Sequence, residues 1–360
     1  VSIDVDFLPT IFKKGSLLKI GIINVTGYAG AELARILSRH PEVDLTSVTG
    51  RSGAGKKLGE VFPHLEDIGL TIEPELSGSL DFVFSALPHA ASAEALVDVV
   101  ESGIKTVDIS ADFRLRDLDV YTEWYEVEHP CPQLAEDSVY GLPEIYRDAI
   151  SQSNIVANPG CYPTASILGL APALKAGIID KDIIIDAKSG VSGAGRGLSL
   201  KTHYSEVNES VSAYGLDGHR HMPEIAQELT LAAEEEVSLT FVPHLIPMTR
   251  GILATSYASI KQDFLSSNEK ITEGVMEIYS DAYQDEEFVK VTTSAPATKQ
   301  TLGGNDCLVY PTVDKRNGRL VIISCIDNLV KGAAGQAVQN MNIMCGMQED
   351  AGLRQLALYP

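Results

Sequence analysis

"LKIGIINVTGYAGAELARILSRHP", residues 18–41, opens on an apolar run and passes through a glycine-bearing turn. It then takes up helical periodicity, which Pro41 ends. Residues 18–25 predict a buried strand, "TGYAG" a turn, and "AELARILSRH" a helix. The pattern then repeats. "VDLTSVTG" (43–50), "DFVFSAL" (81–87) and "KTVDIS" (105–110) read as further buried strands, and "ASAEALVDVVESG" as a helix closed by Gly103. Strands alternating with helices predict a parallel sheet wound by crossover helices. After Gly177 the texture changes: "DIIIDAKSGVSG", "LTFVPHLIP", "GILATSYASI" and "RLVIISCI" suggest longer strands with looser connections, hence a mixed α+β second domain. The tail "LVKGAAGQAVQNMNIMCG" predicts a helix that is small on one face.

The turn after the first strand places Gly27, Tyr28, Ala29 and Gly30 at a helix N-terminus, where backbone N–H groups and the helix dipole favour a pyrophosphate. The spacing is G-x-x-N-x-x-G-x-x-G, with Gly21 and Asn24 ahead of Gly27, and on its own it also fits an ordinary tight turn. An NAD site places an acidic residue about 20 residues on, at the end of the second strand. Here that place holds "TGRS", where Arg51 and Ser52 offer a cation and a hydroxyl suited to a 2′-phosphate, so NADP is the expected cofactor. Read alone, Arg51 is equally a solvated loop residue.

The 360 residues suit two domains rather than one core. A hydrophobic content of 44% and a charged content of 21% describe a soluble globular protein. No apolar run approaches the roughly 18–20 residues that span a bilayer. Residues 1–16 show no leader pattern and read as an undirected extension. The five cysteines are widely spaced and include no C-x-x-C, which argues against a disulfide framework or a metal site and for a cytoplasmic setting. A net charge of −21 disfavours nucleic acid and anionic membranes as partners.

Cys161, in "VANPGCYPTASILGLAPALKAG" (156–177), stands between a turn-like run and a predicted helix that Pro172 should kink. First-turn N–H groups there stabilise a thiolate or an oxyanion formed on attack. The alternative is a small hydrophobe capping a helix. A nucleophilic thiol needs an acid/base partner, and "GLDGHRHMPEIAQEL" (215–229) supplies His219 and His221 before a helix start, with Glu224 able to orient an imidazole. In an extended stretch alternate residues point opposite ways, so one histidine is expected to face the thiol: His219 as first choice, His221 as second. "DISADFRL" (108–115) ends a strand with Ser110 and then offers Arg114, placed for an anionic substrate group or for a surface ion pair with Asp117 or Glu123.

These segments, together with "ALPHAASAEA", "VYGLPEIYR", "SGVSGAGRG", "PHLIPMTRGI" and "DNLVKGAAGQAVQN", resemble the N-acetyl-γ-glutamyl-phosphate reductases in order from about residue 18 to the end. "NPGCYPT" and "GHRHMPEI" are the most discriminating. That family is grouped with aspartate-semialdehyde dehydrogenase and, more distantly, glyceraldehyde-3-phosphate dehydrogenase.

The resemblance implies an α/β Rossmann NADP-binding domain (18–157 with a returning C-terminal segment, 328–360), a mixed-sheet catalytic and oligomerisation domain (158–327), and an unmatched extension (1–17). It also implies a homodimer or homotetramer acting in arginine biosynthesis. Cys161 would be the nucleophile, the His219 segment would hold the base, and Arg114 would bind phosphate, with Ser110 and Asn158 beside the substrate. Ser189, Gly190, Gly193 and Asn328 would lie near the nicotinamide. Asn24 stands where many members carry glycine. Reductases of carrier-bound aminoadipyl or glutamyl phosphate, aspartate-semialdehyde dehydrogenase and a non-catalytic NADP-binding sensor are the competing readings.

Overall fold

The computed structural model describes residues 17–267 and 270–359, so nearly all of the expected N-terminal extension lies outside the described residues. The chain builds two seven-stranded sheets. The first contains β1 (Leu18–Ile23), β2 (Val43–Thr49), β3 (Ile72–Glu73), β4 (Phe82–Ser85), β5 (Lys105–Asp108), β6 (Val139–Tyr140) and β7 (Ile155–Ala157). Their order is β3-β2-β1-β4-β5-β7-β6 and every pairing is parallel. The order reverses between β1 and β4, and ligands of such sheets bind in the crevice outside the carboxyl ends of the strands at that point.

Burial on both faces explains the continuous apolar strands. Leu18, Ile20 and Ile22 of β1 are buried, and a Cβ on Gly21 would come within 2.8 Å of the Leu80 side chain. The helix Tyr28–Leu37 turns Leu33, Ala34, Ile36 and Leu37 onto this sheet.

The second sheet is mixed. It holds β8 (Ile179–Gly190), β9 (Ser212–Ala213), β10 (Ser238–Ile246), β11 (Ile252–Ile260), β12 (Val289–Val291), β13 (Cys307–Asp314) and β14 (Arg319–Ile326), in the order β12-β13-β14-β11-β8-β10-β9. β8 runs parallel to β10 and antiparallel to β11, and its Ile183, Ile185 and Ala187 are buried in strict alternation.

The helix Cys161–Lys175 packs on this sheet and is buried along nearly its whole length. It runs from Cys161 to Lys175 without a break at Pro172, the residue expected to kink it. A proline removes the N–H that would pair with the carbonyl four residues back. That carbonyl, of Leu168, instead accepts the Tyr283 hydroxyl at 2.5 Å, and the Tyr279 hydroxyl donates to Gly169 O at 2.7 Å.

After β14 a single π-helical turn, Val330–Ala334, leads into the helix Gly335–Met344. Val330, Ala337, Val338 and Met341 join the core of the first sheet, so the end of the chain crosses back from the second sheet to the first. A Cβ on Gly332 would come within 2.8 Å of Cys161 Cβ, which puts the π turn directly against the thiol.

Candidate active site

The first sheet delivers the candidate residues at the carboxyl ends of its strands. β1 leads into the glycine turn, β4 into His89, β5 into Ser110 and Arg114, and β7 into Asn158-Pro159-Gly160-Cys161. The turn has the features that a dinucleotide's pyrophosphate needs. Gly27 caps the helix with no side-chain hydrogen bond, and the first turn carries no acid. A Cβ at Gly30 would come within 2.4 Å of Asn24 O, so the close approach of helix and loop requires glycine there. Asn24 keeps the left-handed conformation at φ 65°, which asparagine tolerates. Its side chain donates to Ala86 O at 2.8 Å and accepts from Thr26 Oγ1 at 3.2 Å, pinning the loop. Ser52 Oγ donates to Thr26 Oγ1 at 3.4 Å, and Arg51 is exposed with no acid partner among the described residues. Ser189, Gly193 and Asn328 lie together: a Cβ on Gly193 would sit 3.1 Å from Ser189 Oγ and 3.8 Å from Asn328 Nδ2. Gly190 is forced by the Thr249–Arg250 backbone, 2.7 Å from its would-be Cβ.

Cys161 is the first residue of its helix and is partly buried. A lowered thiol pKa is the sequence-based expectation, and the structure reverses it. Burial pushes the thiol up to about 11, against the lowering effects of the Arg114 charge and of helix N–H groups. Arg114 is not a surface residue paired with Asp117 or Glu123. It is buried, with Nε donating to Asn158 O at 2.8 Å, one terminal nitrogen to Ile109 O at 2.7 Å, and the other to Glu224 at 3.2 Å. Guanidinium offers five N–H donors, so some remain for a phosphate.

Three further candidates are held by protein partners. Glu224 orients no imidazole: one oxygen accepts from Tyr140 (2.8 Å) and from the Gly160 N–H (2.8 Å), and the other faces Arg114. Ser110, expected beside the substrate, is buried, its hydroxyl donating to Asp108 at 2.5 Å while accepting the Asp112 N–H. Asn158 is equally enclosed, held to Ala333 O at 3.2 Å and to Asn340 at 3.2 Å, and its carbonyl accepts from Arg114 Nε.

Residues 219 and 221 lie in a turn rather than an extended stretch, so both rings face the same side. Their centroids are 4.9 Å apart and each packs edge-on to Tyr162. His219 Nδ1 accepts the His221 N–H at 3.1 Å. His221 Nε2 presses against Gly160, whose would-be Cβ lies 2.6 Å from it, and His221 Nδ1 is buried without a partner. Burial and neighbouring positive charge push His219 down to about 4 and hold His221 well below the usual imidazole range, so both are neutral imidazoles at physiological pH.

Sequence reasoning missed His89 and Arg220. His89 Nδ1 accepts the Ala111 N–H at 3.0 Å, which leaves Nε2 as the protonated nitrogen of the neutral ring. Arg220 is exposed, with its guanidinium 5.5 Å from the Tyr125 ring centroid and no acid partner among the described residues. Its position between the two histidines was the only available signal.

Among the described residues no cluster of three or more metal-ligating side chains forms, and no helix is long and apolar enough to cross a membrane. Residues 19–153 match the family model for the semialdehyde dehydrogenase NAD-binding domain, and residues 161–328 match that for the semialdehyde dehydrogenase dimerisation domain. The solved aspartate semialdehyde dehydrogenase II of Vibrio cholerae covers 91% of this chain and 98% of its own, with a TM-score of 0.66 at 16% identity. That of Candida albicans with NADP covers 94% and 99%, with a TM-score of 0.63 at 15% identity. An N-acetyl-gamma-glutamyl-phosphate reductase of Dehalococcoides mccartyi is 54% identical over 343 residues, covering 95% of this chain and 99% of its own. One from Desulforamulus reducens is 51% identical over 352 residues, covering 96% and 100%. With a parallel dinucleotide-type sheet, a helix-start cysteine on a mixed sheet and relatives of this identity along almost its whole length, the chain belongs to the semialdehyde dehydrogenase family, among its N-acetyl-γ-glutamyl-phosphate reductases.

Proposed function

We propose that this protein reduces N-acetyl-γ-glutamyl phosphate to the semialdehyde and inorganic phosphate, using NADPH, through a thioester on Cys161. The observation that carries the reading is the thiol at a helix start with Arg114 near it and His221 against the preceding Gly160, in a chain 54% identical to a reductase of that name. Because burial keeps the thiol protonated, attack needs a base. His221 is favoured over His219 for this role. His219 already uses Nδ1 as an acceptor, whereas His221 Nε2 adjoins Gly160 and its Nδ1 has no protein partner. A buried polar atom without a partner is rare enough to call for a functional reason.

In the reaction, His221 takes the thiol proton as Sγ bonds to the acyl carbon. The tetrahedral oxyanion forms near the N–H groups of the helix start. The carbon–oxygen bond to phosphate breaks, and Arg114 balances the leaving charge. Bound NADPH supplies the hydride that makes the thioester carbon an aldehyde carbon. The sulfur then leaves and recovers its proton from His221. Glu224 holds the Gly160 N–H and Arg114 in place, and Arg220 receives the substrate α-carboxylate from the open side of the site. Ser189, Gly193 and Asn328 border the nicotinamide. The chain works as a homodimer or homotetramer built on the second sheet, in keeping with the description of its matching family model.

The test is the reverse assay: NADP reduction by N-acetyl-glutamate semialdehyde, with and without phosphate or arsenate. Phosphate-dependent turnover supports the reading. Acceptance of aspartate semialdehyde instead, or no turnover of any semialdehyde, overturns it.

A further inference from the structure

Arg196 belongs to the loop after β8, in the second half of the chain, yet its guanidinium reaches the glycine turn of the first sheet. One nitrogen donates to Thr26 O at 2.7 Å, and the guanidinium carbon stands 4.8 Å from the Phe62 ring centroid. Thr26 is also where the end of β2 converges. Ser52 Oγ donates to its hydroxyl, and Cβ atoms on Gly50 and Gly53 would come within 2.8 and 3.1 Å of its methyl group. Ser52 adjoins Arg51. Arginines 51 and 196 are both exposed and neither forms an ion pair among the described residues, in a chain with a net charge of −21. The Arg196 guanidinium and the Ser52 hydroxyl meet at Thr26, Arg51 is next in the chain to Ser52, and neither arginine is paired with a carboxylate among the described residues, a setting for a phosphate rather than for a ribose diol.

We propose that Arg196 is a specificity residue for NADP, binding the 2′-phosphate opposite Arg51 and Ser52. The inference rests on the NADP reading above. The neutral carbonyl of Thr26 is the weaker acceptor. A phosphate oxygen offers Arg196 a charge-assisted bond, roughly twice as strong as a neutral one. The guanidinium also lies over the Phe62 ring, and its planar fork offers the phosphate a paired geometry that a lysine lacks. Because Arg196 comes from the other side of the cleft, recognition of the 2′-phosphate also ties the second sheet's loop to the dinucleotide turn.

The test is the affinity for NADPH and NADH, measured by fluorescence titration without substrate on the full-length wild type, Arg196→Ala, Arg196→Lys and Arg51→Ala. Arg196 is exposed, so its replacement should leave folding intact, and the melting temperature checks this. Arg196→Ala should weaken NADPH binding about 10- to 100-fold and leave NADH binding within about twofold, as expected on losing one charge-assisted bond. Arg196→Lys should recover only part of the loss. Equal weakening of both cofactors, or none of either, overturns the proposal. A wild type that does not prefer NADPH overturns the NADP reading as well, and this shows before any variant is made.

Discussion

Replacing Gly160 with alanine tests the His221 assignment by steric means alone. Gly160 has φ −66° and ψ 155°, an extended conformation that alanine adopts without strain, and the N–H donated to Glu224 is kept. The added methyl carbon would lie 2.6 Å from His221 Nε2 and 2.9 Å from both ring carbons beside it. Ordinary carbon contacts begin near 3.5 Å, so the imidazole must retreat by about 1 Å. A misplacement of that size at a reacting group costs about 100-fold in rate. That is about 2.7 kcal/mol of transition-state stabilisation. Overpacking adds about 1–3 kcal/mol of lost stability. The assay pairs kcat with the NADPH dissociation constant and a denaturant melt for Gly160→Ala, His221→Ala and the double variant. Gly160→Ala should lose about 100-fold in kcat with cofactor affinity unchanged. The double variant should regain the stability but not the rate, because the clash is gone and so is the base. Wild-type kcat in Gly160→Ala, or a double variant faster than Gly160→Ala, refutes the reasoning.

Arg114→Ala should abolish turnover and also destabilise the fold by about 3–5 kcal/mol, because it leaves the buried Glu224 carboxylate unpaired; an unchanged denaturation midpoint would contradict the buried pair. Arg220→Ala should raise KM for the acyl phosphate about 10- to 100-fold with NADPH affinity retained. Its irrelevance would show as unchanged KM. A thiol pushed up to about 11 is mostly protonated at neutral pH, so alkylation of Cys161 by iodoacetamide, read by peptide mass spectrometry, should speed up about tenfold per pH unit from 7 to 10. A rate already flat above pH 7 would mean that a thiolate exists in the resting enzyme.

The parts of the fold legible in the sequence are those set by local pattern. The alternation of apolar strands and helices, the glycine turn and the helix beginning at Cys161 each follow from residues close together in the chain. The positions of Cys161, the two histidines and Arg114 were readable for the same reason, since turns and helix starts bear recognisable residues.

What stayed hidden depends on pairing across the chain. Arg114 meets Glu224 over 110 residues, Gly160 meets it over 64, and Arg196 meets Thr26 over 170. No spacing rule links such pairs. The thiol misled for a related reason. A helix start and nearby cations lower a thiol pKa, but the depth of burial that outweighs them is set by packing of the π turn at Gly332 and the neighbouring sheet. The helix passes through Pro172 unbroken because the Leu168 carbonyl that Pro172 orphans is paired by Tyr283, 115 residues away from Leu168.

The central claim is a covalent acyl group on Cys161, and mass spectrometry measures it directly. The enzyme is mixed with N-acetyl-γ-glutamyl phosphate in the absence of NADPH, quenched in acid, digested and mapped. The account predicts a mass increase of one N-acetyl-glutamyl group on the Cys161 peptide, accompanied by one equivalent of phosphate, discharged on adding NADPH and missing from Cys161→Ser. An adduct on another residue, or full turnover by Cys161→Ser, would contradict it.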